Sequence, residues 1–131
     1  MAKKNDVLIV ETELNRLVGM AEAMEQRNVA EAEHLLAKLD NALTISEAKA
    51  PKNLVRMGSR VTYEIDGEEK IVSVVFPAEA DYAAGRVSVS SLLGIALIGH
   101  RAGANATLHA RNGKKIDVRI VAVKDRAEEF A

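Results

Sequence analysis

The spacing of the apolar residues changes once along this chain, close to Pro51, and this change restricts the fold more than any other feature. Before Pro51 the apolar residues recur every three to four positions, as on one face of a helix. After it they recur at every second position, as in Val61, Tyr63 and Ile65, which is typical of a strand. We therefore predict an α+β fold, with a helical part over 1–53 and a β part over 54–131.

The helical part is predicted to be a short antiparallel hairpin, or coiled coil. Val7 to Val10 is an apolar run that suits a buried strand or a helix entrance. Thr12 is a suitable N-cap for the first helix, and Asn28 with Glu31 forms a capping box for the second. The second helix should end a few residues before Pro51. At 1.5 Å per residue the arms would be about 22 Å and about 30 Å long.

The β part is predicted to run β-β-β-α-β-β. Asp66-Gly67 and Asn112-Gly113 are two-residue turn signals between alternating segments. Ser90 or Ser91 should cap the one short helix, which Gly99 should end. The strands are expected at these positions: 60–65, 71–76, 86–90, 105–111 and 115–123.

The composition excludes several kinds of chemistry. The 131 residues include no cysteine, and the three histidines lack the usual spacing of metal ligands. The glycines match no phosphate-binding fingerprint. Two tyrosines, two phenylalanines and a net charge of −1 argue against direct sequence-specific binding of nucleic acid. We expect no cofactor, no metal, no membrane span and a cytoplasmic monomer.

Acidic residues gather near the predicted tip of the hairpin, among them Glu25, Glu31 and Glu33. Two carboxylates there would bind Mg²⁺ only if a partner supplied the rest of the coordination shell. The simpler interpretation is a solvated helix surface with one capping glutamate.

The β part resembles the C-terminal domain of the bacterial Gre transcript-cleavage factors. The segment that carries the resemblance is RVSVSSLLGIALIGHRAGANATL, at 86–108. VRMGSRVTYEI, VVFPAEAD and HARNGKKIDVRIVAV match in order and spacing. VVFPA and GIALIGHR look closer to Rnk, the regulator of nucleoside diphosphate kinase, and the short hairpin agrees with that subgroup.

The resemblance implies an FKBP-like twisted antiparallel sheet around one short helix. It also implies RNA polymerase as the partner, bound at the rim of its secondary channel. The contacting residues would be these: Ser90, Ser91, Leu92, Leu93 and Ala96. The sequence departs from the family at Leu92, where proline is usual, and at Ala104, where an acidic residue is common.

Three functions follow from this resemblance. The first is a regulator that competes with other channel-binding factors without transcript cleavage, and so is not an enzyme, because the hairpin is short and its tip MEQRNVAEAEH has no aspartate. The second is a cleavage factor that uses Glu25, Glu31 or Glu33. The third is an adaptor that affects nucleoside diphosphate kinase. FKBP-type isomerisation is disfavoured because the aromatic lining it needs is missing.

Overall fold

The computed structural model describes residues 3–124. The ends of the two predicted parts, at 1–2 and 125–131, lie outside the described residues. The elements in chain order are β1 (Leu8–Val10), α1 (Glu11–Met24), α2 (Val29–Asn41), β2 (Leu43–Ile45), β3 (Arg60–Ile65), β4 (Glu68–Val75), β5 (Arg86–Ser88), α3 (Leu92–Leu97), β6 (Asn105–His109) and β7 (Lys115–Lys124). The predicted α+β class, with two helices before a curled sheet and a short helix, is confirmed.

The first N-terminal helix is close to its predicted length, while the second is shorter than its apolar pattern predicts. At 14 and 13 residues, each is about 20 Å long at 1.5 Å per residue. α2 ends at Asn41 because Leu43–Ile45 forms a strand parallel to Leu8–Val10 instead of continuing the helix. The run from Val7 to Val10 is therefore a strand in its last three residues.

The helix starts differ from the predicted caps. α1 begins at Glu11, so Thr12 lies inside the helix and no side chain caps it. Asn28 holds the N-cap position of α2, but its side chain makes no capping hydrogen bond. Glu31 is 9% exposed, with its carboxylate 3.8 Å from Arg111 Nε, and Arg111 comes from the β part of the chain. A tertiary contact has replaced the capping box.

The β part is one five-stranded sheet in the order β5-β4-β3-β7-β6. Three of its four strand pairs are antiparallel, while β4 and β5 pair in parallel. Asp66 and Gly67 both have positive φ, at 52° and 82°, as the turn between β3 and β4 requires. The predicted inward face of β3 is confirmed for Val61 and Tyr63, which are buried.

One hydrophobic core joins the hairpin to the sheet. Leu17 of α1 and Leu35 of α2 belong to the same buried cluster as Leu97 of α3 and Ile120 of β7. The apolar faces of the helices therefore pack on the β part as well as on each other. The boundary at 53/54 stays a prediction about folding units, because side chains from both parts build this core.

Polar contacts also cross that boundary. Arg56 Nη2 donates to Glu13 Oε2 at 2.9 Å and to Glu47 Oε1 at 2.8 Å. Hydrogen bonding to Glu47 is the main cause that raises the pKa of Arg56. The guanidinium of Arg16, also on α1, lies 4.0 Å from the centre of the Phe76 ring. These contacts fix the orientation of the hairpin against the sheet.

Candidate functional site

The start of α3 is built from a short network of serine hydroxyls. Ser91 is the N-cap: its Oγ accepts from the backbone N–H of Gly94 at 3.1 Å and donates to the carbonyl of Ser88 at 2.6 Å. Ser88 Oγ and Ser90 Oγ lie 2.6 Å apart, and the N–H of Ser90 donates to Ser88 Oγ. The predicted serine cap is therefore confirmed, at Ser91. The network holds the approach to the helix in one conformation.

Glycine at position 94 is required by the way this turn folds. A Cβ there would lie 2.1 Å from the carbonyl oxygen of Ser88 and 2.8 Å from Cα of Val89. Both are backbone atoms, so no side-chain rotation relieves the clash. The backbone of β5 and the first turn of α3 are thus in direct contact.

The five predicted partner-contacting residues are close together but differ in exposure. Ser90, Ser91, Leu92 and Leu93 are half-buried and form the accessible part of this segment. Ala96 is only 3% exposed, and its carbonyl accepts a hydrogen bond from Lys38 Nζ at 2.9 Å. A contact between Ala96 and a partner stays a prediction, and Ala96 is covered in this structure.

The acidic residues of the tip divide into two groups. Glu25 follows the last residue of α1 and is exposed, and Glu33 is exposed on α2. Glu31 faces the connection between β6 and β7 through Arg111. In the described part of the chain, no group of three histidine, aspartate or glutamate side chains is placed to hold a metal ion. The tip therefore offers carboxylates at a surface, and it does not form a complete metal site.

Sequence reasoning missed a cluster of basic and imidazole groups where α2 meets α3 and β6. The rings of His34 and His109 are stacked, with centroids 4.3 Å apart and 11° between the planes. Lys38 Nζ donates to the carbonyls of Ile95 and Ala96 at 2.7 and 2.9 Å. Only tertiary folding brings these residues together, so their spacing along the chain gives no signal.

Burial shifts the pKa values in this cluster. Desolvation lowers the pKa of Lys38 to about 7. Desolvation, with a smaller effect of the nearby Lys38 charge, lowers the pKa of His100 to about 3. Desolvation and then the charge of His34 also lower the pKa of His109. His100 and His109 are therefore held in the neutral form at neutral pH more strongly than free imidazoles are.

The fold presents a capped helix start and a carboxylate-bearing helical tip. The family described as "Transcription elongation factor, GreA/GreB, C-term" matches residues 50–125, more than half of the chain. The chain belongs to this GreA/GreB family.

Curated relatives give the same result. The transcription elongation factor GreA of Thermomicrobium roseum is 38% identical over 92 residues, which are 70% of this chain and 58% of the relative. GreA of Chloroflexus aurantiacus is 39% identical over 95 residues, 71% of this chain and 59% of the relative. The matched region thus spans less than two thirds of the length of these relatives.

A solved structure is similar over nearly its whole length. It is described as the prokaryotic transcription elongation factor GreA/GreB from Nitrosomonas europaea, with a TM-score of 0.72 and 26% identity. The similarity covers 91% of this chain and 99% of that one. The hairpin is therefore included in the structural likeness as well as the sheet.

These relatives correct one prediction. The expectation that the chain is not an enzyme is contradicted, because its relatives are GreA factors, and the Gre factors that the sequence resembles are transcript-cleavage factors. The Gre family itself is confirmed, while the Rnk subgroup stays a prediction.

No helix among the described residues is long and apolar enough to cross a membrane.

Proposed function

We propose that this chain is a transcription elongation factor of the Gre kind, which acts on RNA polymerase and stimulates cleavage of the nascent transcript. The observation that carries the proposal is the match of residues 50–125 to the GreA/GreB family. It is supported by two GreA relatives at 38% and 39% identity. This replaces binding without cleavage as the favoured function.

Docking is assigned to the start of α3. A partner surface binds with the least loss of conformational entropy when the docking segment is already rigid. The serine network gives Ser90 and Ser91 that rigidity, and Leu92 and Leu93 add half-buried apolar side chains beside it. We place this segment against the rim of the secondary channel of the polymerase.

The cleavage role is assigned to the exposed carboxylates Glu25 and Glu33. Oxygen ligands suit Mg²⁺, which usually keeps several coordination positions for water and substrate. The Mg²⁺ in this proposal belongs to the polymerase, and the tip contributes carboxylate oxygens only. Glu31 is less suited to the role because Arg111 already faces its carboxylate.

Halted, backtracked complexes of purified bacterial RNA polymerase with end-labelled RNA test the cleavage role. The expected result is shortening of the RNA when the chain is added. Glu25→Gln combined with Glu33→Gln should slow shortening by at least about tenfold, while the matched surface variant Asp40→Asn should not. No shortening at saturating protein would contradict the proposal.

The docking role has its own variant. Leu92→Asp puts a charge on the proposed contact and should weaken the affinity for core polymerase by at least about tenfold. The exposed substitution Leu43→Asp, in β2, is the matched control. An unchanged affinity of the Leu92 variant would remove the start of α3 from the interface.

Two finer assignments stay proposals. The short hairpin, with arms of 14 and 13 residues, supports a place in the Rnk subgroup, and this assignment becomes the favoured one if the cleavage assay shows no shortening of the RNA. Competition with other channel-binding factors follows if the docking segment occupies the shared rim. The kinase-adaptor hypothesis has no support from a described contact, and co-purification of nucleoside diphosphate kinase without polymerase would favour it.

A further inference from the structure

A cavity of about 310 Å³ lies where α2, α3 and β6 meet. Its polar lining comes from His34, Lys38 and Asn41 on α2 and from Thr107 and His109 on β6. His100, which follows α3, completes that lining. Since a water molecule takes up about 30 Å³ of liquid, the space suits a molecule of roughly ten non-hydrogen atoms.

The hydrogen-bond donors around this cavity favour an anion. Among residues 3–124, its lining contains no aspartate or glutamate. An ammonium group has three donors, and Lys38 uses two of them on the carbonyls of Ile95 and Ala96. The nearby carboxylate of Glu31 faces Arg111 instead, at 3.8 Å. An anion in the cavity would therefore meet donors without a competing acid in the wall.

One donor or acceptor in the wall has no partner. His100 is 7% exposed, and its Nδ1 is buried without a hydrogen-bond partner among residues 3–124. A buried polar atom left unpaired costs roughly 1–3 kcal/mol, so such atoms usually indicate a missing ligand or water. Because burial keeps this imidazole neutral, the ring can place its hydrogen on Nδ1, and because this atom is itself buried, a ligand in the cavity reaches it only when the neighbouring side chains move.

The remaining wall of the cavity is apolar. Leu92, Ile95 and Ala96 of α3 line it together with Val7. A bare inorganic anion would leave this wall uncovered, whereas a ligand with both an anionic group and an apolar body would contact both walls. Binding sites for small molecules commonly combine an apolar lining with a few placed polar groups.

We propose that this cavity binds a small organic carboxylate that carries an apolar group. The carboxylate would accept hydrogen bonds from Lys38 and from the imidazoles, and the apolar body would lie against α3. The inference stands apart from the proposed function, since it depends only on the cavity and its wall.

Benzoate is the probe, because it joins a carboxylate to a compact apolar ring. Titration into the full chain should give saturable chemical-shift changes in the amide resonances of Ile95, Thr107 and His109. Benzamide has the same shape without the charge and should bind at least about tenfold more weakly. Acetate, which lacks the ring, should also bind more weakly.

Lys38→Met keeps the aliphatic stem and removes the charge, and it should weaken benzoate binding by at least about tenfold. The exposed Lys114→Met is the matched control, because it removes one positive charge outside the cavity wall. If Lys38→Met does not fold, Thr107→Val and His34→Gln give the same comparison. Equal binding of benzamide and benzoate, or equal loss in both lysine variants, would overturn the proposal.

Calorimetry gives an independent measurement. A bound carboxylate stabilises the charged amine, so it should raise the pKa of Lys38 from about 7 and cause proton uptake near pH 8. His100 and His109 interact electrostatically with this amine, His34 lines the same cavity, and Lys115 interacts with His109. Binding heats measured in two buffers of different ionisation enthalpy should reveal that uptake in the wild type and not in Lys38→Met.

Inorganic phosphate that displaces benzoate with equal affinity would overturn the carboxylate assignment.

Discussion

At its first turn, α3 is capped by Ser91, which accepts a hydrogen bond from Gly94 three residues away. At its last turn, the free carbonyls of Ile95 and Ala96 accept hydrogen bonds from Lys38, which lies 57 and 58 positions earlier in the chain. Both ends of a helix leave backbone groups without intrahelical partners. At the first turn of α3 the hydrogen-bond partner is a neighbouring side chain, and at the last turn it is a side chain from α2.

The difference supports the proposed docking at the first turn of α3. The local cap leaves Ser90 to Leu93 half-exposed, so the first turn is available for docking. The distant cap brings α2 over the last turn, which buries Ala96 and forms one wall of the cavity. The same short helix therefore provides the proposed docking segment at its first turn and a second wall of the cavity, and Leu92 belongs to both.

The most damaging substitution should be Gly94→Ala, at the first turn. The new Cβ would clash with backbone atoms of Ser88 and Val89, so we expect a loss of about 3 kcal/mol or more in the free energy of unfolding. Gly19→Ala is the control, because Gly19 has open space around it in the middle of α1 and should gain up to about 1 kcal/mol. Urea denaturation of both variants measures the contrast, and an unharmed Gly94 variant would contradict the close approach.

The next largest effect is the pH dependence of the free energy of unfolding, which arises from Lys38 at the last turn of α3. The folded chain loses the proton of Lys38 near pH 7, while the unfolded chain keeps it up to the ordinary value of 10.5. Between these values the unfolded state binds more protons, so the free energy of unfolding should rise with pH. The slope contributed by Lys38 should be at most about 1.4 kcal/mol per pH unit.

Lys38→Met removes this titration and provides the comparison. The difference in unfolding free energy between the wild type and this variant should change between pH 7 and 10, in favour of the wild type at high pH. Denaturation curves at pH 7, 8, 9 and 10 measure it. A difference that stays constant over this range would show that the Lys38 amine is not desolvated.

A smaller loss is expected for Ser91→Ala, which removes the local cap. Replacing a capping serine with alanine costs about 1 kcal/mol. Ser46 also precedes a short helical turn, but its side chain makes no capping hydrogen bond, so Ser46→Ala should change stability by less than about 0.5 kcal/mol. Thermal unfolding distinguishes the two, and equal effects would show that the serine network adds nothing.

The smallest effect is expected for Arg111→Gln, in the connection between β6 and β7 that contacts Glu31 near the tip of the helical hairpin. The arginine side chain is largely exposed and 3.8 Å from Glu31, and such pairs contribute about 0–1 kcal/mol. Arg56→Gln should cost more, because Arg56 is largely buried and meets both Glu13 and Glu47. The order of the two effects is the test, and a reversed order would mean that the tip contact orients the hairpin more strongly than Arg56 does.

Local signals account for what the sequence predicted well. Ser91 as a cap and Asp66-Gly67 as a turn both depend on residues within a few positions, so the pattern alone is sufficient. The strand at Leu43–Ile45 was predicted as helix, because its partner Leu8–Val10 is far away in sequence. Glu31 was predicted as a capping residue for the same reason, since Arg111 lies 80 positions later.

The candidate site also contains features that the sequence predicts and features that only tertiary packing creates. The proposed docking segment was inferred from a resemblance to a known family, and the structure confirms only the serine cap at the start of α3. The stacking of His34 on His109 and the bonds of Lys38 to α3 were missed, because no periodicity along the chain brings these residues together. Tertiary packing alone creates that cluster.

Docking on RNA polymerase through the start of α3 is tested most directly by equilibrium binding of the fluorescently labelled chain to core RNA polymerase, repeated with an unlabelled GreA factor as competitor. We expect saturable binding that GreA displaces and that Leu92→Asp weakens by at least about tenfold. No binding to the polymerase, or binding that neither GreA nor the Leu92 substitution changes, would contradict it.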